Sequence, residues 1–272
     1  MKKFHLVLIL MLFISILTAC GTSSDEENAS SGQEEESSNL YEEIQEKGVI
    51  TVGTEGTYPP FSFHNDKDEL TGYDVEVMCE VASRLGLEVE FNETQWDSMF
   101  AGLNAERFDV IANQVGINDE RLEKYNFSDP YTYTGAVLVV PSSNEEITAF
   151  EDLEGKKSAQ SLTSNFKEIA TEYGAEVVGV EGMAQAVENI KLGRVDVTVN
   201  DKLAVLQYMN ETNNEDVKIA AELDDVSETA FTFRKGNEEL VNAFNDELAE
   251  MKEDGTLAEI SKEWFGEDVS VK

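Results

Sequence analysis

The chain has 272 residues, 41% of them hydrophobic, which is enough to bury one large core or two smaller ones. It carries 56 Asp and Glu residues against 20 Lys and Arg residues, so its formal net charge at pH 7 is −36. This acidity argues against binding to nucleic-acid phosphates, and an anionic lipid surface would repel the protein unless an anchor held it there.

The first twenty residues are typical of an export signal. Lys2 and Lys3 precede an apolar run that is short for a membrane span. The run closes with Leu-Thr-Ala-Cys, which resembles the lipobox of bacterial lipoproteins. That resemblance implies a signal peptide of residues 1–19 and acyl chains on Cys20, which would anchor the protein to the membrane. An ordinary secretory signal with an unmodified Cys20 is the alternative.

Residues 20–39 are rich in Ser, Asn, Glu and Asp, a composition that predicts a disordered acidic tether. The folded part is expected to begin near residue 40. With Cys20 lipidated, Cys79 is the one cysteine left, and its helical surroundings predict a buried, inert thiol. The histidines are His5 and His64, so no Cys/His spacing for a metal is present, and neither a metal nor a cofactor is expected.

The next elements in chain order are a short strand, a loop and two helices. The loop at residues 54–61 contains two prolines and two glycines, so it forms no regular element. Tyr58 in this loop and Trp96 at the start of the second helix either line a ligand cavity or pack into the core. Asp74 is predicted to cap the first of the two helices.

Two stretches of the chain share one pattern. Residues 107–113 and 194–200 both contain Arg, an apolar residue, Asp, Val, two further residues and Asn. Both follow a helix-like segment and predict a strand that ends in polar residues, where ligands bind in open α/β sheets. We therefore expect two similar halves whose strands end at one cleft. Chance similarity between two α/β units is the alternative.

Opposite charges follow the two repeated strands. Arg121 comes after the first, and its guanidinium suits a carboxylate, although a surface ion pair is the alternative role. Asp201 follows the second, so a zwitterion could bind between the two side chains. Thr163 and Ser164 open another predicted helix, either as caps or as part of an anion site made by its free N–H groups.

Two strands are expected to cross between the halves, one at residues 134–141 and one at residues 228–233. The predicted first lobe consists of residues 40–134 and 232–272, including a long helix from about Glu238 to Asp254. The predicted second lobe consists of residues 135–231.

Four motifs stand out along the chain: Gly53–Phe61, Leu70–Glu76, Asp119–Arg121 and Phe127–Tyr131. Together they resemble family 3 extracellular solute-binding proteins, the receptors of bacterial amino-acid ABC importers, over about residues 41–266. The stretches at 95–97, 113–115, 159–165 and 200–201 are similar to cystine-binding members, although Gly116 stands where those often carry Thr.

The resemblance implies an α/β fold of the two-lobed periplasmic-binding-protein type (type II), in which two strands join lobes made of a mixed sheet flanked by helices. Arg121 would bind the α-carboxylate of an amino acid, helped by the N–H groups of Gly116 and Thr163. Asp201 would bind the α-ammonium. The other candidate ligand-binding residues are Glu55, Tyr58, Trp96, Asn113, Gln114 and Ser164.

The implied function is capture of a polar amino acid, first of all L-cystine, by a monomeric lipoprotein outside the cytoplasm that delivers it to an ABC permease. Glutamine or another polar amino acid is the alternative ligand. A dehydratase-type enzyme on the same fold is a more remote alternative, because Glu55 and Asp201 are the acids that can be placed in the cleft and no His or Cys nucleophile joins them. A sensory ligand-binding module is the third possibility.

Overall fold

The computed structural model describes residues 39–272. The predicted signal segment, Cys20 and residues 20–38 of the predicted tether lie outside the described residues. The elements of the described part are α1 (Leu40–Lys47), β1 (Val49–Thr54), β2 (Thr57–Tyr58), β3 (Ser62–His64), β4 (Leu70–Thr71), α2 (Tyr73–Arg84), β5 (Glu88–Glu93), α3 (Trp96–Asn104), β6 (Val110–Ile111), α4 (Asp119–Lys124), β7 (Tyr125–Phe127), β8 (Thr132–Pro141), a 3-10 turn (Phe150–Leu153), β9 (Lys157–Gln160), α5 (Asn165–Glu172), β10 (Glu176–Gly179), α6 (Met183–Lys191), β11 (Thr198–Asp201), α7 (Lys202–Glu211), β12 (Val217–Thr229), β13 (Thr232–Arg234), α8 (Glu238–Asp254) and α9 (Thr256–Phe265).

The first lobe is built on a five-stranded mixed sheet in the order β5-β1-β6-β13-β7. The strands β5, β1 and β6 are parallel, whereas β13 runs antiparallel to both of its neighbours. Val52 of β1, Met78 of α2 and Phe244 of α8 are fully buried in one hydrophobic cluster. Burial of each such side chain contributes about 1.5–3 kcal/mol. The C-terminal helices therefore complete the core of the N-terminal part of the chain.

The second lobe is built on two smaller sheets, β11-β8-β12 and β10-β9. A parallel bridge between Ser158 and Val197 links them. Leu138 packs into one hydrophobic cluster and its neighbour Val137 into another, because successive side chains of a strand point to opposite faces. Burial on both faces explains why residues 136–140 form an unbroken apolar run.

The two lobes are joined by strands that pair with each other. β8 and β12 are antiparallel from the pair Thr132–Thr229 to the pair Pro141–Val217, with two irregularities in register. The predicted two-lobed α/β class with two crossing strands is confirmed. The structure has no helix in residues 39–272 that is long and apolar enough to span a membrane.

Two local predictions in α2 are wrong. Asp74 does not cap this helix, because Gly72 occupies the cap position with a φ of 133° and Asp74 lies one residue inside the first turn, fully buried. A side chain at position 72 would collide with the backbone of Phe61, so glycine is required there. Cys79 is exposed rather than buried, because it lies in an open surface groove between α2 and α9.

Candidate functional site

A cavity of about 500 Å³, including its open mouth, lies between the two lobes. The first lobe contributes the residues that follow β1 and β6, and the second lobe contributes those that follow β9 and β10 together with the end of β11. Both lobes thus present strand ends to one cleft, as the repeated pattern predicts. The lining residues are Glu55, Thr57, Tyr58, Trp96, Asn113, Gln114, Ser161, Ser164, Asn165, Phe166, Glu181, Gly182, Met183 and Asn200.

Glu55 and Asn113 form one wall of this cavity. Because β1 and β6 are parallel neighbours, the residues that follow them lie side by side. The Asn113 amide oxygen accepts the Glu55 N–H at 2.8 Å, and the amide nitrogen donates to the Glu55 carboxylate at 2.9 Å. Burial raises the pKa of Glu55 to about 7, although the Asn113 hydrogen bond partly offsets this. The Glu55 carboxyl group therefore changes protonation near neutral pH.

Gln114 connects the cavity wall to the strands that join the lobes. Its backbone N–H and side-chain amide both donate to Asp74, at 2.8 and 2.6 Å. The amide also donates to Thr132 of β8 at 3.1 Å, and its oxygen accepts from Thr229 of β12 at 2.9 Å. Burial raises the pKa of Asp74 to about 7, although hydrogen bonds from Gln114 and Tyr131 partly offset this rise. Asp74 is a residue that the sequence reasoning missed, because an Asp in a first helical turn is typical of a cap.

Both aromatic residues left open between cavity and core line the cavity. The Tyr58 hydroxyl crosses to the second lobe and donates to Asn200 at 2.9 Å. Burial raises the pKa of Tyr58 well above its ordinary value, so the hydroxyl stays a donor. Trp96 is 8% exposed, and its Nε1–H has no hydrogen-bond acceptor within residues 39–272.

Arg121 is buried next to the cavity but does not line it. The guanidinium donates to the carbonyl oxygens of Gly116 at 2.8 Å and Thr163 at 3.1 Å. Its central carbon lies 5.6 Å from the centroid of the Trp96 ring and 5.2 Å from that of Phe100. Among the ion pairs of the described residues none involves Arg121, so the alternative of a surface ion pair is wrong. Burial lowers the pKa of Arg121, but a guanidinium stays charged at neutral pH.

Asp201 is also buried beside the cavity and does not line it. Its carboxylate caps α7 by accepting the N–H groups of Leu203 at 2.8 Å and Ala204 at 3.1 Å. Burial raises the pKa of Asp201 to about 6, and the Ala204 N–H partly offsets the rise. The charge of Asp201 also contributes to the raised pKa of Tyr58. Asp201 therefore has a structural role at the helix start in addition to its predicted role with an ammonium.

The start of α5 presents two neighbouring residues to different surroundings. Ser164 caps the helix by accepting the Phe166 N–H at 3.1 Å, and it lines the cavity. The N–H of Thr163 donates to Asp97 at 3.0 Å, and Thr163 does not line the cavity. Gly116 forms a bridge with Thr229, and a Cβ atom there would make ordinary contacts with Asn165 and Arg121.

The structure thus brings part of the predicted set to the cavity surface: Glu55, Tyr58, Trp96, Asn113, Gln114 and Ser164. The other four lie beside it: Gly116, Arg121, Thr163 and Asp201. The roles of all ten residues remain predictions.

The segment 181–183 also lines the cavity but was not predicted to do so. It follows β10, and the rule that ligands bind at strand ends would have found it. The described residues contain no group of His, Cys, Asp and Glu able to hold a metal ion.

Comparison with known proteins adds independent information. The family described as bacterial extracellular solute-binding proteins, family 3, matches residues 50–267. The L-cystine-binding protein TcyA of Bacillus subtilis (strain 168) is 57% identical over 271 residues, which cover 99% of this chain and 100% of TcyA.

Two solved structures differ in how well their lobes superpose on this chain. The L-cystine solute receptor of Neisseria gonorrhoeae, in its unliganded open conformation, is 48% identical with a TM-score of 0.58, covering 87% of this chain and 100% of the receptor. An ancestral arginine-binding protein bound to arginine is 36% identical with a TM-score of 0.76, covering 80% of this chain and 99% of that protein. Both matches show the two-lobed fold of amino-acid-binding proteins.

Proposed function

The chain belongs to the bacterial extracellular solute-binding proteins of family 3, and we propose that it binds L-cystine between its lobes and delivers it to an ABC permease. Its relatives bear the names of binding proteins, which supports a transport role rather than an enzymatic one.

The observation that carries this proposal is the buried guanidinium of Arg121, which makes no salt bridge within residues 39–272. Its hydrogen-bond acceptors are two neutral carbonyl groups, and Glu168 and Glu120 act on it only from beyond ion-pair distance. Burial of a cation without a directly bonded anion is costly. A ligand carboxylate would supply the missing charge in a bidentate geometry that guanidinium groups favour. Such a ligand would have to reach past Asn165, which lines the cavity, towards Gly116, where an added Cβ would lie 3.7 Å from Nη1 of Arg121.

The acidic residues that line the cavity favour cystine over glutamine. Glu55 of the first lobe and Glu181 of the second both line it, whereas no Lys or Arg of residues 39–272 does. Cystine carries two ammonium groups and two carboxylates, and glutamine carries one of each, so of these two ligands only cystine can place an ammonium at each acid. The unpartnered Nε1–H of Trp96 offers a donor to a carboxylate of the same ligand.

Lobe closure would couple binding to delivery. A ligand favours the closed form by the contacts that this form alone provides. Residues of both lobes line the cavity, and the Tyr58–Asn200 hydrogen bond already joins the lobes at its wall. We assign residues 40–134 and 232–272 to the first of the two moving bodies and residues 135–231 to the second.

A ligand panel tests the proposal. Thermal melting of the purified protein is measured with each of the twenty standard amino acids and with L-cystine at equal concentration. We expect L-cystine to raise the melting temperature most, because a ligand stabilises the native state by RT ln(1 + [L]/Kd), so the tightest ligand gives the largest rise at equal concentration. A larger rise with glutamine would reassign the ligand. Recovery of chemically unchanged cystine after incubation distinguishes a receptor from an enzyme.

The membrane anchor is a separate part of the proposal and rests on the sequence at Cys20. Mass spectrometry of the exported protein should show a mature N-terminus at Cys20 that carries acyl chains. A Cys20→Ser variant should carry no acyl chains, and a wild-type protein without acyl chains on Cys20 would contradict the anchor. Light scattering of the purified protein is expected to give the mass of a monomer.

A further inference from the structure

Asp97 is a first-lobe residue whose side chain is bonded to the second lobe. It lies in the first turn of α3, and its carboxylate reaches the loop at residues 161–164. One carboxylate oxygen accepts the N–H of Thr163 at 3.0 Å and the hydroxyl of Thr163 at 2.9 Å. The other oxygen accepts the N–H of Leu162 at 3.3 Å. One carboxylate therefore makes three hydrogen bonds from one lobe to the other.

The loop that Asp97 holds has two sides with different neighbours. Ser161 and Ser164 line the ligand cavity. Leu162 and Thr163 instead line a separate surface cavity that also borders Arg121. Asp97 binds the loop through these two outer residues, so it leaves the cavity side of the loop available. Arg121 supports the same outer side through its hydrogen bond to the Thr163 carbonyl.

The Asp97 contact differs from the other direct polar contacts between the lobes. Across the cleft, Tyr58 makes a single hydrogen bond to Asn200 and Asn118 a single one to Glu168 at 3.2 Å. Arg121 likewise makes a single one, to the Thr163 carbonyl at 3.1 Å. Asp97 makes three, and its carboxylate receives two backbone N–H groups. Hydrogen bonds to a charged acceptor are roughly twice as strong as neutral ones.

We propose that Asp97 is a latch that holds the loop 161–164 over the cleft and thereby sets how long a bound ligand stays. Asp97 does not line the cavity, so it is a positioning residue that acts through the loop. The lobes must separate before a ligand leaves, and the Asp97 hydrogen bonds must break for this separation. The effect on residence time rests on the proposed binding function, whereas the effect on lobe closure does not.

The test compares Asp97→Ala with the matched control Asp119→Ala. Asp119 is also an exposed residue in the first turn of a first-lobe helix, so the same charge is removed near a helix start. Its side chain makes no hydrogen bond to the second lobe within residues 39–272. Stopped-flow fluorescence measures the association and dissociation rates of L-cystine. Small-angle X-ray scattering measures the radius of gyration of the purified protein without ligand.

We expect Asp97→Ala to release cystine about ten-fold faster, the size of one or two net hydrogen bonds at an exposed site. The association rate should stay within about two-fold, because the ligand enters the open form. The radius of gyration should increase in Asp97→Ala and stay unchanged in Asp119→Ala. Asp97→Asn keeps one acceptor oxygen and should fall between the wild type and Asp97→Ala, and it replaces the Ala variant if that one fails to fold.

Each failure has a distinct signature. A wild-type dissociation rate and a wild-type radius of gyration in Asp97→Ala would overturn the latch. Equal effects in Asp119→Ala would also overturn it, because they would show a general effect of charge. If the wild type binds no cystine, the proposed function fails, and the scattering comparison still decides whether Asp97 holds the lobes together.

Discussion

The two repeated stretches place the same residue type in the same local role in each lobe. In the first lobe, Asp109 accepts the N–H of Thr51 at 3.0 Å and donates its own N–H to the Thr51 carbonyl at 2.9 Å. In the second lobe, Asp196 accepts the N–H of Lys157 at 2.8 Å and donates to the Lys157 carbonyl at 2.9 Å. Each Asp thus ties its strand segment to the neighbouring strand, β1 in one lobe and β9 in the other.

The repeats diverge where they reach the cleft. Asn113 binds Glu55, and the next residue, Gln114, enters the buried network with Asp74. Asn200 instead accepts the Tyr58 hydroxyl, and the next residue, Asp201, caps a helix. The Asp inside each repeat therefore makes the same strand contacts in both lobes. The last residue of each repeat and the residue after it make different contacts at the cleft.

The largest expected effect comes from removing the cation of the first lobe. Arg121→Ala should weaken cystine binding by about 30-fold to 4,000-fold, because loss of one member of a desolvated charge pair costs roughly 2–5 kcal/mol. Arg121→Lys keeps the charge but loses the planar fork, so its affinity should be intermediate. Isothermal titration calorimetry measures both. Wild-type affinity in Arg121→Ala would remove this residue from the site.

The anion of the second lobe should matter next. Asp201→Asn keeps an oxygen for the cap of α7 but loses the charge, so we expect about 30-fold weaker binding with little change in melting temperature. Asp201→Ala should add about 1 kcal/mol of destabilisation by removing the cap. If Asp201→Asn binds normally and only Asp201→Ala melts early, Asp201 is a cap and nothing more.

Removing the side chain of Asp109 or Asp196 should destabilise the fold in both cases, but by different amounts. Asp109→Ala should lower the free energy of unfolding by about 2 kcal/mol, and Asp196→Ala by about 1 kcal/mol. The difference arises because Asp109 also accepts the Thr51 hydroxyl at 2.7 Å and is less exposed. Urea unfolding of both variants gives the two values. A loss in one lobe alone would break the equivalence of the repeats.

The smallest effect concerns pH and Glu55. Burial raises the pKa of Glu55 to about 7 in the protein without ligand, and a ligand ammonium would favour the charged form. Cystine binding should therefore weaken several-fold as the pH falls from 7.5 to about 6, with proton release on binding near pH 7. Calorimetry in buffers of different ionisation enthalpy measures both. In Glu55→Gln this dependence should disappear, apart from the part near pH 6 due to Asp201.

Cystine binding should strengthen as the pH rises, whereas the free energy of unfolding of the protein without ligand should fall. The folded-state pKa values of Glu55 and Asp74, both about 7, lie above the ordinary values of 4.5 and 3.8. The stability that these groups contribute is therefore fully present below about pH 4 and is lost as the pH rises through about 7. The same carboxylate charge that would favour binding thus disfavours the fold.

The sequence by itself determined the features that depend on local pattern. The helix predicted from Glu238 to Asp254 is α8 with the same bounds, and the strand ends that carry Glu55 and Asn113 reach one cleft. The spacing of apolar residues indicates which face of a strand or helix is buried, and polar residues that follow an apolar strand mark its end.

Only the tertiary structure decided how distant polar groups pair. Asp74 could be assigned to the Gln114 network, and Asp97 to Thr163, only once packing had brought together segments far apart in the chain. The cap made by Asp201 likewise required the actual start of α7. An acidic side chain has the same chemistry whether it caps a helix, holds a loop or binds a ligand. Its role therefore depends on the residues that surround it in the folded protein.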